Sequence, residues 1–161
     1  TLAACERRSP ELVRMLSNQS RRIARSFAAE DIAQVARAYA KMGWRSTKTL
    51  ALLGERLTKL LKGKETAATV TATHLAAVVG AYPMLGVSWR KSKTQQKDLE
   101  LWKAVAVAAP SRLSQMTARE FSVILNAFAR MDFSTSSINS NVDRLFEISA
   151  GHLVPRIALE T

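Results

Sequence analysis

The sequence is poor in cysteine, glycine, proline and histidine. A single cysteine, Cys5, excludes an internal disulfide framework and any cysteine-based zinc site. Six glycines and four prolines are about half the usual share, which excludes collagen-like and turn-rich β architectures. The two histidines, His74 and His152, lie far apart, and neither has an acidic residue at metal-ligand spacing. We therefore expect no bound metal and no cofactor.

The sequence also lacks catalytic motifs and long apolar runs. Serines and threonines have no neighbouring histidine base, and there is no glycine-rich phosphate loop, so we expect no catalytic residues and no enzyme activity. The longest stretch without Asp, Glu, Lys or Arg is 66–89, and only 75–87 within it is continuously nonpolar. A segment of that length is too short to cross a bilayer, so we predict a buried helix and no membrane insertion.

Acidic residues are outnumbered by basic ones, and the excess is local. The chain has 24 Lys and Arg against 13 Asp and Glu, a net charge of +11. Residues 1–65 carry a net charge of +8 and residues 66–110 a net charge of +3, whereas residues 111–161 are neutral. Such an excess attracts polyanions, which favours nucleic-acid contact through the first two thirds of the chain. Basic charge that serves only solubility remains the alternative.

Three segments of the chain resemble one another. They are 27–43, 70–86 and 116–132, separated by 43 and 46 residues. A period in this range is typical of stacked supersecondary units. Each segment has the pattern of one helix, with an apolar residue, a cap position, and a second apolar residue five positions after the first. Thr71 and Thr117 are predicted N-caps, and Thr117 with Glu120 forms a capping box, whereas Ala28 is a weak equivalent.

The end and the interior of each segment carry further aligned positions. Gly43 and Gly86 suit the left-handed residue that ends a helix, and Pro83 should kink or shorten the last turn of the second copy. Small residues align next to aromatic residues, as the pairs Ala38–Tyr39, Ala81–Tyr82 and Ala127–Phe128. We interpret this aromatic column as helix packing rather than base stacking.

A second helix is predicted after each segment, over 47–61, 95–108 and 139–150. We therefore expect an all-α fold, a right-handed α-solenoid of about three stacked αα-hairpins in one domain, 1–161. Its units are a partial repeat at about 10–25, repeats at 27–64, 70–109 and 116–150, and a possible further helix from 154 to 161. The stretch 7–26 is rich in Arg and Ser like a mitochondrial transit peptide, but its apolar spacing after Pro10 favours a structural helix.

The repeated pattern resembles the degenerate helical repeats of organellar RNA-binding proteins. The similarity covers about 27–150 and is best over 27–43, which looks like repeats of FAST-kinase-like and RAP-domain proteins and of octotricopeptide and heptatricopeptide proteins. The resemblance implies binding of mitochondrial transcripts or ribosomal RNA, and equally a mitochondrial ribosomal subunit protein in the matrix. No RAP domain is visible after the repeats, so a nuclease-like activity is not implied.

Basic side chains on helix ends and linkers are the candidate RNA contacts. In the first repeat helix Gln34, Arg37 and Lys41 form one stripe, but its counterpart in the second is Ala77, Gly80 and Met84, so contact with the RNA backbone is favoured over base reading. The candidate RNA-binding residues are Arg21, Arg22, Arg25, Arg37, Lys41, Arg56, Lys59, Lys62, Lys64, Arg90, Lys91, Lys93 and Lys97.

We expect a non-catalytic subunit of a mitochondrial ribosome or another organellar ribonucleoprotein that contacts rRNA. Residues 116–150, within the neutral last third of the chain, are the expected contact for neighbouring proteins. The alternative is a protein-only helical scaffold subunit of a membrane-associated mitochondrial complex.

Overall fold

The computed structural model describes residues 10–86, 95–131 and 139–157, and within these ranges the chain is helical with no strand. This confirms the all-α class. The helices are α1 (Pro10–Ile23), α2 (Ala29–Met42), α3 (Thr47–Lys62), α4 (Ala72–Met84), α5 (Gln95–Ala108), α6 (Ala118–Arg130) and α7 (Asn139–Ile157). Short 3₁₀ helices at Ala24–Ser26, Thr66–Thr69 and Pro110–Gln115 lead into α2, α4 and α6.

The helices contact one another in two rows. Helix α4 packs against both α2 and α6, which makes the row α2–α4–α6. Helix α3 packs against α1 and α5, and α5 packs against α7, which makes the row α1–α3–α5–α7. One continuous hydrophobic core joins the rows, and its largest fully buried side chain is Trp102 of α5. No helix in the described ranges is both long and apolar enough to span a membrane.

The residues predicted to begin and end the repeated helices occupy those positions. Thr71 and Thr117 are the N-caps of α4 and α6, and each side chain accepts a hydrogen bond from the third residue of its helix. Gly43 and Gly86 follow α2 and α4 with φ of +64° and +59°, a conformation that glycine adopts without steric cost. Helix α4 ends at Met84, one aligned position earlier than α2 and directly after Pro83. This agrees with the predicted shortening.

Two sequence expectations need correction. Residues 154–157 continue α7, which runs through Pro155, and do not begin a further helix, whereas residues 158–161 lie outside the described ranges. The small-residue column is also incomplete, since Ala81 and Ala127 are buried but Ala38 is exposed. In α2 it is Ala33 and Ala36 that are fully buried.

Candidate nucleic-acid interface

A groove of about 490 Å³ opens on the row α2–α4–α6. Arg37 and Lys41 line it from α2, and Arg119 lines it from α6. Between them, α4 contributes the small residues Ala77 and Gly80 to the lining. The groove thus places three cationic side chains around a surface of small side chains, with the Glu120 carboxylate in its wall as well.

The absence of a side chain at position 80 sets the spacing of α4 and α6. A Cβ built on Gly80 would lie 2.7 Å from Cγ1 of Val123, closer than carbon atoms approach in folded proteins. Gly80 therefore allows α6 to lie close to α4. This close approach brings Arg119 to the same groove as Arg37.

Hydrogen bonds connect the first turns of the three helices around this groove. His74 of α4 accepts the Thr71 backbone N–H at Nδ1 over 3.1 Å, so its Nε2 carries the proton and donates to the Glu30 carboxylate of α2 over 2.8 Å. On the other side, the Thr73 hydroxyl donates to the Glu120 carboxylate of α6. Glu30 is the acidic partner that His74 lacks in the sequence. The described residues contain no group of three or more His, Cys, Asp or Glu side chains placed to hold a metal ion.

The carboxylates near the groove are engaged by protein donors. The Thr73 hydroxyl and the Thr117 backbone N–H lower the pKa of Glu120, and hydrogen bonds from Gln34 and His74 lower that of Glu30. The positive charge of Arg37 adds a smaller effect on both. Glu120 also lines the groove, so its carboxylate lies among the three cations and is engaged at the same time by these protein donors.

A second basic recess, of about 350 Å³, lies on the row α1–α3–α5–α7. The predicted contact Lys62 lines it together with Lys103 and Arg112. The carboxylate of Glu100 lies 2.9 Å from Lys62 Nζ and 4.0 Å from Lys103 Nζ, so both lysines have a protein partner. The wall of this recess is apolar and includes Val107, which is 67% exposed.

Two arginines bond to the backbone just ahead of the repeated helices. Arg112 donates to the carbonyl oxygens of Val70, Ala67 and Ala108, over 2.8, 2.7 and 2.7 Å. Arg56 donates to the Phe27 carbonyl over 2.9 Å. Both guanidinium groups therefore hold the segment that enters α4 or α2. Arg56, a predicted RNA contact, has this structural role.

Other predicted contacts have local partners or are exposed. Arg25 and Lys59 share a small recess with Arg56, and Lys59 pairs with Glu55 over 3.3 Å. Arg21 donates to the Ser17 carbonyl and to Asn18 Oδ1, whereas Arg22 and Lys64 are exposed. Arg90, Lys91 and Lys93 lie outside the described residues, as does the side chain of Lys97, whose backbone belongs to the first turn of α5. The predicted contacts are thus distributed over several surfaces.

Sequence reasoning missed Arg119 because it aligned the three helices column by column. The stripe predicted in α2 reaches the groove through Arg37 and Lys41, but α6 contributes Arg119 and Val123 instead of its aligned polar residues, Asn126 and Arg130. Neighbouring helices cross at an angle, so residues aligned in sequence are not always neighbours in space. The first turn of α6 would have been the position to examine.

The chain was compared with protein-family models, with curated proteins and with solved structures, and no match was found in any of the three.

Proposed function

We propose that this protein is a non-catalytic RNA-binding helical-repeat protein. In this proposal the pairs α2–α3, α4–α5 and α6–α7 are successive hairpins of a right-handed α-solenoid, and α1 is the remaining helix of a partial repeat. The alternation of the two rows, in which each helix packs on its counterpart in the next pair, supports this arrangement. By its resemblance to organellar repeat proteins, we place it in the mitochondrial matrix, as a structural subunit of the ribosome or of another ribonucleoprotein that contacts rRNA.

The observation that carries the proposal is the groove of Arg37, Lys41 and Arg119. Long cationic side chains on two sides of the groove, from α2 and from α6, suit phosphates spaced along a chain. Ala77 and Gly80 of the lining have no hydrogen-bonding side chain, and the lining residues Thr73 and Glu120 bond to each other. The groove therefore favours contact with the RNA backbone over base-specific reading.

The test is a salt titration of RNA affinity with the groove intact and with it neutralised. The probe is a fluorescently labelled stem–loop RNA with single-stranded tails. If about six phosphates are contacted, affinity falls by roughly three orders of magnitude between low and physiological salt. The double variant Arg37→Gln/Lys41→Gln should bind more weakly at every salt concentration, and the slope of log affinity against log salt should fall by about 2.

A matched variant removes two charges elsewhere. Lys48 on α3 and Arg144 on α7 are exposed and do not line the groove. Lys48→Gln/Arg144→Gln therefore has the same net charge as the groove variant. It should keep most of the wild-type salt slope. Equal losses of RNA affinity in both variants would refute the groove as the RNA site. So would a wild-type affinity with little salt dependence.

The second candidate function, a protein-only scaffold, is favoured by the recess on α5. Val107 is largely exposed there, and the neighbouring lysines already pair with Glu100. An exposed apolar side chain beside paired charges suits a protein surface better than RNA. Crosslinking in cell extract distinguishes the two functions: recovered RNA supports the first, and protein partners that survive nuclease treatment without RNA support the second.

A further inference from the structure

A small recess of about 190 Å³ is formed by α3 and the 3₁₀ helix Ala24–Ser26, and it shares no lining residue with the groove on the row α2–α4–α6. Its volume lies below the roughly 300 Å³ at which sites for drug-sized molecules begin, so it suits one small group. The residues that line it are Ala24, Arg25, Leu52, Glu55, Arg56 and Lys59. The recess thus combines a small volume with three cations and one carboxylate.

Arg56 is half-buried at this recess and is held there by the backbone. Its Nε donates to the Phe27 carbonyl over 2.9 Å, which fixes the plane of the guanidinium group. Within the described ranges this is the one hydrogen bond that Arg56 makes. A guanidinium group carries further N–H donors on its two terminal nitrogens, Nη1 and Nη2. These donors are therefore oriented by the protein but not used by the described part of it.

The second repeat has the same anchor with its donors occupied. Phe27 and Val70 are the first residues of their segments, and Arg112 Nε donates to the Val70 carbonyl over 2.8 Å, as Arg56 Nε does to that of Phe27. Both terminal nitrogens of Arg112 also donate to backbone carbonyls, over 2.7 Å each. The entry to each helix therefore needs only the Nε bond in common. The open donors of Arg56 are a feature of the first repeat that this structural role does not explain.

The other charged residues of the recess set its net charge. Arg25 and Lys59 are exposed at its rim, and Lys59 pairs with the Glu55 carboxylate over 3.3 Å. With three cations and one carboxylate, the lining is positive by two charges. A terminal phosphate group carries nearly two negative charges at neutral pH and three strong acceptor oxygens. Both its charge and its size therefore match the recess better than those of a carboxylate or a whole nucleotide.

We propose that this recess binds one terminal phosphate group. The two terminal nitrogens of Arg56 bond two of its oxygens as a planar fork, and Arg25 and Lys59 hold the remaining charge from the rim. The chemistry recognised is a phosphate dianion, which both free inorganic phosphate and the 5′-phosphate of an RNA end supply. Binding of inorganic phosphate here does not depend on the RNA groove, because the two sites have no residue in common.

The test removes the two rim cations and keeps the anchored arginine. Arg25→Gln/Lys59→Gln changes two exposed side chains and leaves the bond from Arg56 to Phe27 in place, so it should fold, which circular dichroism and thermal melting verify. Isothermal titration calorimetry uses inorganic phosphate at constant ionic strength. Wild-type protein should show one saturable site, and the variant should bind phosphate at least about tenfold more weakly.

Two matched variants remove the same net charge outside the recess. They are Lys48→Gln/Arg144→Gln and the groove variant Arg37→Gln/Lys41→Gln. Both should bind inorganic phosphate as wild type does. The groove variant also separates the two proposals, because it should lose RNA affinity and keep its phosphate site.

A second arm identifies the source of the phosphate. A short single-stranded RNA with a 5′-phosphate is compared with the same RNA ending in a 5′-hydroxyl, by fluorescence anisotropy. A preference of wild type for the phosphorylated RNA that Arg25→Gln/Lys59→Gln loses identifies an RNA end. Equal affinities for the two RNAs, together with the site for inorganic phosphate, identify free phosphate.

Two results overturn the proposal. One is a wild-type protein that shows neither a saturable phosphate site nor a preference for the 5′-phosphate. The other is a variant Arg25→Gln/Lys59→Gln that retains whichever of these the wild type shows, to the same extent as Lys48→Gln/Arg144→Gln. The second result would mean that overall basic charge, and not the recess, attracts phosphate.

Discussion

Tyr39, Tyr82 and Phe128 hold one aligned position in three helices, and all three are buried. Trp102 packs edge-on against Tyr82 and Phe128, with ring centroids 5.7 and 5.0 Å apart, so the aromatic column is a packing device as the sequence predicted. The Tyr82 hydroxyl lies 3.3 Å from both the Leu50 carbonyl and the Asp98 carboxylate. Burial first, and then the Asp98 charge, raise the pKa of Tyr82 well above its usual value of 10.

At the residue scale, Gly54 is a buried position where a single methyl group should destabilise the fold. A Cβ there would lie 2.9 Å from Cδ2 of Leu101 and 3.0 Å from the Tyr82 hydroxyl. Gly54→Ala should destabilise the protein by about 1–3 kcal/mol through overpacking, despite the better helix propensity of alanine. Urea unfolding measures the change.

Gly151 on α7 provides the matched control. It has no neighbouring atom within 4 Å of a built Cβ. Gly151→Ala should therefore raise the free energy of unfolding by up to about 1 kcal/mol, from helix propensity alone. If Gly54→Ala also stabilised the protein, that result would contradict the close packing of α3 on α5 at this position.

At the scale of elements, the starts of α4 and α6 are built from a reciprocal cap and that of α2 from half of one, and the three starts are linked to one another. Thr117 and Glu120 form the capping box that the sequence predicted, and His74 takes the same position in α4. In α2 the cap residue Ala28 has no side-chain oxygen, but its backbone N–H donates to Asp31 over 2.9 Å. The links through Glu30 and Glu120 then connect residues 44 and 47 positions apart.

The link through Glu120 predicts how stability depends on pH. Its pKa is lowered in the folded state from 4.5, so the charged form stabilises the fold above that value. This contribution is lost as pH falls through the folded-state pKa. Glu120→Gln should therefore be less stable than wild type at neutral pH, and the difference should shrink below about pH 4.5.

Urea unfolding from neutral pH down to about pH 3 makes this comparison. Glu147→Gln, a change of an exposed carboxylate on α7, is the control. A difference between wild type and Glu120→Gln that stays constant over the whole range would contradict the role assigned to the ionised carboxylate.

The arginine in the segment before α6 makes a second prediction at this scale. Arg112→Ala would remove three hydrogen bonds, to the carbonyl oxygens of Val70, Ala67 and Ala108, although Ala67 keeps the Val70 N–H and Ala108 keeps the Ser111 hydroxyl as donors. We expect a loss of about 2–4 kcal/mol, since hydrogen bonds from charged groups are stronger than average. Arg56→Ala removes one such bond, to Phe27, and should cost about 1 kcal/mol. Thermal unfolding of both variants tests whether Arg112→Ala is the more destabilising of the two. A larger loss of stability for Arg56→Ala would contradict the larger structural role assigned to Arg112.

At the scale of the whole molecule, Trp102 joins the two rows. It belongs to α5 in one row, contacts Tyr82 of α4 and Phe128 of α6 in the other, and is fully buried. Trp102→Ala should cost about 3–5 kcal/mol, a large part of the stability of a domain of this size. Trp44 is the control, because it is only half-buried against the same core and its loss should cost less. Comparable melting temperatures for the two variants would contradict the central role of Trp102.

Much of the fold follows from local signals in the sequence. The apolar residues, caps and glycines of the three repeats are read within one helix, so they predicted where α2, α4 and α6 begin and that the chain is all-helical. The second helices were predicted from spacing, with α5 at 95–108 as observed and α3 one residue short, whereas α7 continues from the predicted end at 150 to Ile157. The candidate site was predicted less well, because a groove is made by side chains from different helices.

The sequence by itself determined the helical class, the repeated helix starts and the basic excess, since these depend on propensity, periodicity and composition along the chain. Only the tertiary structure decided which charges meet. The crossing of α4 and α6 brought Arg119 to Arg37 and Lys41, and packing of α2 on α4 gave His74 its partner Glu30. The same packing bonded Arg56 and Arg112 to backbone carbonyls. These outcomes depend on the distances between helices, which no pattern within one helix contains.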